Sequence, residues 1–137
     1  MKKELLCIPV IFGLLLSSCA TESPCVRDNQ EYFTQMEDLV ARWDTNNEKL
    51  HEMYEDKGFL YIGVPLHEQN DLYQEYQTIS PPECVRTTHG IFQVYVLLEF
   101  SRWLQVIQDE QKGNEAFAMA REMHASFDEK WAQLKKP

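Results

Sequence analysis

Residues Ser80–Gln111 read SPPECVRTTHGIFQVYVLLEFSRWLQVIQDEQ, and the assignment of this stretch decides the fold. It opens on Ser80, two prolines and Glu83. A serine followed three residues later by glutamate is a capping box, and proline is tolerated at the first helical positions because its missing N–H has no partner there. Val85, His89, Phe92, Val96, Phe100, Trp103 and Ile107 then recur every three or four residues, which marks one face of a helix. Between Ile91 and Leu98 only Gln93 is polar, so the middle of this helix is apolar nearly all round and is expected to be buried by several neighbours. Ile91, Phe92, Val94, Tyr95 and Val96 favour strands as residue types. However, the pattern runs unbroken for about thirty residues, whereas strands run about five or six. Glu99, Arg102 and several glutamines interrupt any twenty-residue apolar span, which removes the transmembrane reading.

Three further helices are expected around this one. Upstream, Asp28 or Asn29 can cap a helix whose seam is Tyr32, Met36, Leu39, Val40, Trp43, Leu50 and Tyr54, with Asn47 at one seam position. Its other face is acidic and amide-rich (Gln35, Asp38, Asn46, Glu48, Glu52, Glu55), and Gly58 ends it. Phe59–Pro65 (FLYIGVP) reads as a packed turn. Leu66–Ile79 reads as a short helix with Leu66, Gln69, Leu72, Tyr73, Tyr76 and Ile79 on one side. It stops at Ser80 because a residue before proline is pushed out of the α region. Lys112-Gly113-Asn114 reads as a tight break. The last helix then runs from about Glu115 to Lys135 with Phe117, Ala120, His124, Phe127, Trp131 and Leu134 as its seam. Short connections make successive helices antiparallel neighbours. The expected fold is therefore all-α, an up-down-up-down bundle of three to four helices over residues 28–137.

The N-terminus has a different character. Lys2 and Lys3 precede an apolar run from Leu5 to Leu16, a length that suits a secretory signal rather than a span. It ends Leu16-Ser17-Ser18-Cys19, which resembles the lipobox of bacterial lipoproteins. That resemblance implies removal of residues 1–18, lipid attachment at Cys19 and anchoring of the chain to the cell envelope by acyl chains such as palmitate. The residue after the lipidated cysteine is Ala20, not the aspartate that commonly retains such proteins in an inner membrane. In a cell with two membranes, this resembles sorting to the outer one, on its periplasmic side or its surface. Residues 19–27 are expected to be a tether that reaches at most about 25–30 Å, which keeps the domain close to the bilayer.

Residues 1–18 carry two lysines and one glutamate, so their removal takes the formal charge from −9 to −10. Such a chain repels nucleic acid and anionic headgroups, so membrane contact is expected through lipid rather than a basic face. Of four cysteines, processing removes Cys7 and lipidation uses Cys19. Cys25 and Cys84 remain in a compartment where disulfides persist, and a bridge between them is expected. Both precede or open helices that start at the same end of an up-down bundle, so the bridge and the topology agree.

No residue pattern assembles an active site. Glu48 and His51 form one Glu-x-x-His pair, but a di-iron bundle needs two. His89 and His124 fall on apolar faces, where a histidine is usually a hydrogen-bonded core residue. A metal or cofactor would need further ligands on facing turns. His67-Glu68 reads as a solvated helix start. There is no Cys-x-x-Cys-His, no Gly-x-Ser-x-Gly and no glycine-rich phosphate loop. Among the aromatics, Phe33, Phe59 and Tyr61 are the candidates for exposure to a partner. Beyond the lipobox, Cys25, Tyr32, Met36, Trp43, Pro82-Glu83-Cys84 and His89 resemble a loose class of small helical bacterial lipoproteins, which implies no particular activity.

The expected function is a non-enzymatic, membrane-anchored envelope lipoprotein that acts as a helical binding or scaffolding module, with a possible envelope protein partner, no cofactor and no small-molecule substrate. Two alternatives are an inhibitor or immunity-type lipoprotein that binds a basic enzyme or toxin, and a cofactor- or metal-binding bundle that uses His89 and His124.

Overall fold

The computed structural model describes residues 22–106 and 108–137. The signal segment, the lipobox, Cys19 and Ile107 lie outside the described residues. Among the described residues, five helices follow one another: α1 (Pro24–Asp28), α2 (Gln30–Lys57), α3 (Gly63–Thr78), α4 (Arg86–Val106) and α5 (Glu110–Leu134). Short 3-10 turns occupy Phe59–Tyr61 and Glu83–Val85, and no strand occurs among the described residues. The fold is an all-α up-down bundle. Its main core gathers Met36, Leu39, Trp43, Phe92, Val96 and Phe127 from α2, α4 and α5, and Leu72 and Tyr76 of α3 close one side. Leu50, Ile62 and Trp103 form a second, smaller cluster at the far end.

Cys25 and Cys84 are bridged, with their Cα atoms 6.1 Å apart. This pins the start of the α1–α2 arm to the turn that leads into α4. Tyr76 near the end of α3 donates a 2.8 Å hydrogen bond to the His89 carbonyl, and the Ser23 hydroxyl donates to the Leu134 carbonyl. The end of α3, the start of α4 and the end of α5 therefore meet at the disulfide end, as alternating helix directions require.

Four expected element boundaries are corrected. The segment before Asp28 is not all tether: Pro24–Asp28 is helical, and Ser23 is its N-cap, accepting from the Val26 N–H at 3.3 Å. A serine followed by proline at the first helical position is itself a start signal. The Ser80–Glu83 capping box does not form. Ile79 and Pro82 are extended, and the chain passes through a 3-10 turn before α4 begins at Arg86. Pro82 pushes Pro81 out of the α region, so no helical turn begins directly after Ser80 for its side chain to cap. Helix α3 starts at Gly63, three residues before Leu66, because Pro65 is tolerated in a first turn where its missing N–H is not needed.

The fourth correction concerns the last turn. Lys112-Gly113-Asn114 lies inside α5, whose N-cap is Asp109, accepting from the N–H groups of Gln111 and Lys112. Gly113 is buried because α4 passes against it: a Cβ at that position would lie 2.8 Å from Val106 Cγ2 and 3.1 Å from Val106 Cα. Ala116 and Ala120 continue this small-residue line, which lets α4 and α5 lie close together. By contrast, α2 and α4 are spaced by aromatic side chains, with Trp43 meeting Tyr95 and Phe100 edge-on at 6.3 and 5.9 Å between ring centroids.

Helix α4 is also not buried all round. Val94, Leu97 and Leu104 are 45%, 46% and 60% exposed, while Glu99 and Arg102 are turned inward and buried.

Candidate functional site

The sequence-predicted histidines occupy separate places. His89 on α4 stacks on Tyr76 with ring centroids 4.6 Å apart, and its Nδ1 lies 3.0 Å from the Tyr32 hydroxyl. Burial lowers the His89 pKa and raises that of Tyr32. A neutral imidazole between two protonated phenols is thus a half-buried packing element. Phe33 is buried beside it against Trp131, not exposed as expected of a partner-facing ring.

His124 on α5 lies on a different wall. Its Nε2 is 3.4 Å from Asp44 of α2, and its Nδ1 is 3.7 Å from Asp128 one turn along its own helix. Both are ion-pair distances, and the Nε2 contact lacks hydrogen-bond alignment. The Asp44 carboxylate is the leading cause of a raised His124 pKa, which burial partly offsets.

Next to His124 is a cleft of about 410 Å³ between α2, α4 and α5. Asp44, Asn47, His51, Glu99, Phe117 and His124 are among the residues lining it. Glu99 is only 1% exposed, and its Oε2 has no hydrogen-bond partner among the described residues; neither does Asn47 Oδ1. Burial pushes the Glu99 carboxyl up to about 7, and Arg102 opposes the shift. Arg102, one turn further on, donates from Nη1 to His51, 2.9 Å from Nδ1. Its guanidinium lies 3.7 Å from the Phe117 ring centroid and 4.5 Å from that of Trp103. The His51 ring must accept from Arg102, and so must be neutral. Burial, assisted by the Arg102 charge, pushes its pKa down to about 4.

The sequence does carry a signal for this polar interior. Glu99 lies three residues after Val96 and seven after Phe92, on the inward stripe, so periodicity alone turns it into the core. On α2 the Glu48–His51 pair is divided: Glu48 is exposed, but His51 is half-buried and faces Arg102. Asn46, expected on the acidic outer face, is buried and donates to the Pro65 carbonyl at 2.8 Å and to Gln69. His67 is solvent-exposed beside Asp71.

The cleft can hold a proton on Glu99 and charge on His124, and among the described residues its lining contains no serine, threonine or cysteine to act as a nucleophile. Among the described residues, no group of three or more His, Cys, Asp or Glu side chains is arranged to hold a metal ion. No described helix is long and apolar enough to cross a membrane. No family model, curated protein or solved structure matches this chain.

Proposed function

We propose that this protein is a lipid-anchored lipoprotein of the bacterial envelope that serves as a non-enzymatic helical binding module. The observation that carries the reading is the sequence Leu16-Ser17-Ser18-Cys19 after an apolar signal-like run. Two features are consistent with it. Ser23 is already part of the bundle, so Ala20, Thr21 and Glu22 alone separate Cys19 from the domain. The other pole carries Leu60 and Tyr61 on the turn after α2 and Val64 at the start of α3, which are 90%, 58% and 68% exposed. A 28-residue helix is about 42 Å long, so in this reading those side chains point away from the bilayer toward a partner.

Fractionation tests the anchor. Cys19→Ala is expected to give an exported protein that no longer sediments with membranes, because lipid supplies the affinity. A variant that still sediments would overturn the reading.

The acidic surface favours one second reading, an inhibitor or immunity-type lipoprotein for a basic enzyme or toxin. Its partner is expected to be captured from envelope extract at low salt and released as salt screens the contact. A partner that is retained at high salt would exclude it.

A further inference from the structure

Helix α4 carries its charges inside and its apolar residues outside. Its only acidic and basic residues after Arg86 are Glu99 and Arg102, and both are buried. On the opposite side, Gly90, Val94, Leu97, Ser101 and Leu104 follow one another at spacings of four, three, four and three. This is the repeat of a two-helix seam, in which alternating three- and four-residue steps keep one stripe facing a partner helix. The large members are well exposed, and a Cβ built on Gly90 would meet nothing within 4 Å, so no other described part of the chain covers the stripe.

The order of residues says what fits there. Turned end for end about residue 99, the midpoint of Val94–Leu104, the stripe sets Leu97 opposite Ser101 and Val94 opposite Leu104. Each pair joins a smaller side chain to a larger one, the alternation that lets facing helices interdigitate. A second copy supplies that complement by two-fold symmetry, because an isologous contact places the same patch on both partners. Charge points the same way. Copies carrying a formal −9 each repel, and a seam between them must avoid placing acidic groups opposite one another; this stripe carries none. A membrane surface fits less well, since interfacial helices carry lysine and arginine along the border of the apolar face, and here no basic residue follows Arg86 on the exposed side of α4.

We infer that the outer face of α4 is a self-association surface that pairs two copies of this chain through antiparallel α4 helices centred on residue 99. The stripe is about 21 Å long and one helix wide, smaller than a stable interface needs, so the dimer is weak and anchoring both copies to one surface would favour it. The inference rests on α4 alone and holds whether or not Cys19 is lipidated.

Cysteine pairing in cells tests it without detergent. Full-length Leu97→Cys and Ser101→Cys, with different tags, are produced together and separately, treated with a short thiol cross-linker and resolved on non-reducing gels. The parent chain sets the background. The expected result is a mixed product, one Leu97→Cys chain joined to one Ser101→Cys chain, several-fold more abundant than either like-with-like product. Dominant like-with-like products would mean a parallel pair and would overturn the antiparallel assignment. Products with other proteins alone, or protection by vesicles without cross-linking, would give the stripe to a different occupant. In sedimentation, Leu97→Glu is expected to weaken self-association about tenfold or more by facing like charges across an apolar seam, with helicity unchanged. Raising salt is expected to strengthen association of the parent chain, because it screens two acidic bodies from each other. A folded Leu97→Glu that associates as the parent does would sink the proposal.

Discussion

The two ends of the bundle solve burial in opposite ways. At the disulfide end, polar groups are few and matched: Ser23 with Leu134, Tyr76 with the His89 carbonyl, Tyr32 with the His89 ring. A covalent bridge closes that end. Toward the far end the interior takes in Asn46, Gln69, Glu99 and Arg102. Among the described residues, the buried side-chain atoms without a hydrogen-bond partner all belong to residues 43–69 or 99–124. Unpaired buried groups cost about 1–3 kcal/mol each, so the far half is the less stable part of the molecule, while the disulfide end holds the bundle together. Sites that bind or switch are drawn from regions of low local stability. The cleft at Glu99 and the exposed turn at Leu60 both lie on that side.

Opening the bridge is expected to have the largest effect. A loop of 59 residues closed by a disulfide is worth about 4 kcal/mol in the chain-entropy model. Cys84→Ser should therefore lower Tm by roughly 10–25 °C. Hydrogen exchange would show amides of α1 and early α2 losing protection most. If the far half loosened first instead, the contrast between the ends would be reversed.

The next effect is a pH dependence that originates in the far half. The folded Glu99 pKa, about 7, lies above its ordinary value of 4.5. The folded state thus holds a proton that the unfolded chain releases, and stability falls as pH rises from about 4.5 to about 7. His124, whose pKa is raised, adds a loss in the same direction at somewhat higher pH. His51, lowered to about 4, acts the other way: its share is lost as pH falls below 6.5. Glu99→Gln isolates the first contribution. It should match the parent at pH 4 and exceed it at pH 8 by on the order of 3–4 kcal/mol, at about 1.4 kcal/mol per pKa unit, read from denaturant midpoints. Equal stability at pH 8 would show that Glu99 is solvated and the far half less strained than described.

A smaller effect separates two glycines on the close-packed pair. Gly113→Ala should destabilise by about 1–3 kcal/mol because its methyl meets Val106, whose branched side chain cannot move aside cheaply. Gly90→Ala, with open space around it, should stabilise by about 0.5–1 kcal/mol through helix propensity. Equal signs at the two sites would mean that α4 and α5 are not in close contact at Gly113.

The seams of α2, α3, α4 and α5 are legible because a 3.6-residue period survives in Tyr32–Leu50, Leu66–Tyr76, Val85–Trp103 and Phe117–Leu134 whatever the tertiary context. The pairing of Cys25 with Cys84 is legible as well, from a count of cysteines and a topology. Turn chemistry is less so. Gly113 carries the residue type of a helix end but serves as a contact between helices, a distinction that depends on Val106 across the gap. Asp109, the actual cap, is overshadowed in the sequence by a glycine so near it. The polar interior is hidden for another reason: Glu99 and Arg102 look like interruptions of an apolar run, and only their phase on the helix reveals that they point inward. The apolar outer stripe of α4 is the other side of the same phase.

The bridge between Cys25 and Cys84 encloses α2, the exposed turn at Leu60–Tyr61 and α3 in a covalent ring, with α4 and α5 as its tail. A protease that nicks the ring at that turn, the most accessible apolar point on it, does not divide the molecule. Both pieces stay joined through the two sulfurs, and the N-terminal arm stays attached to the tail until a reductant arrives.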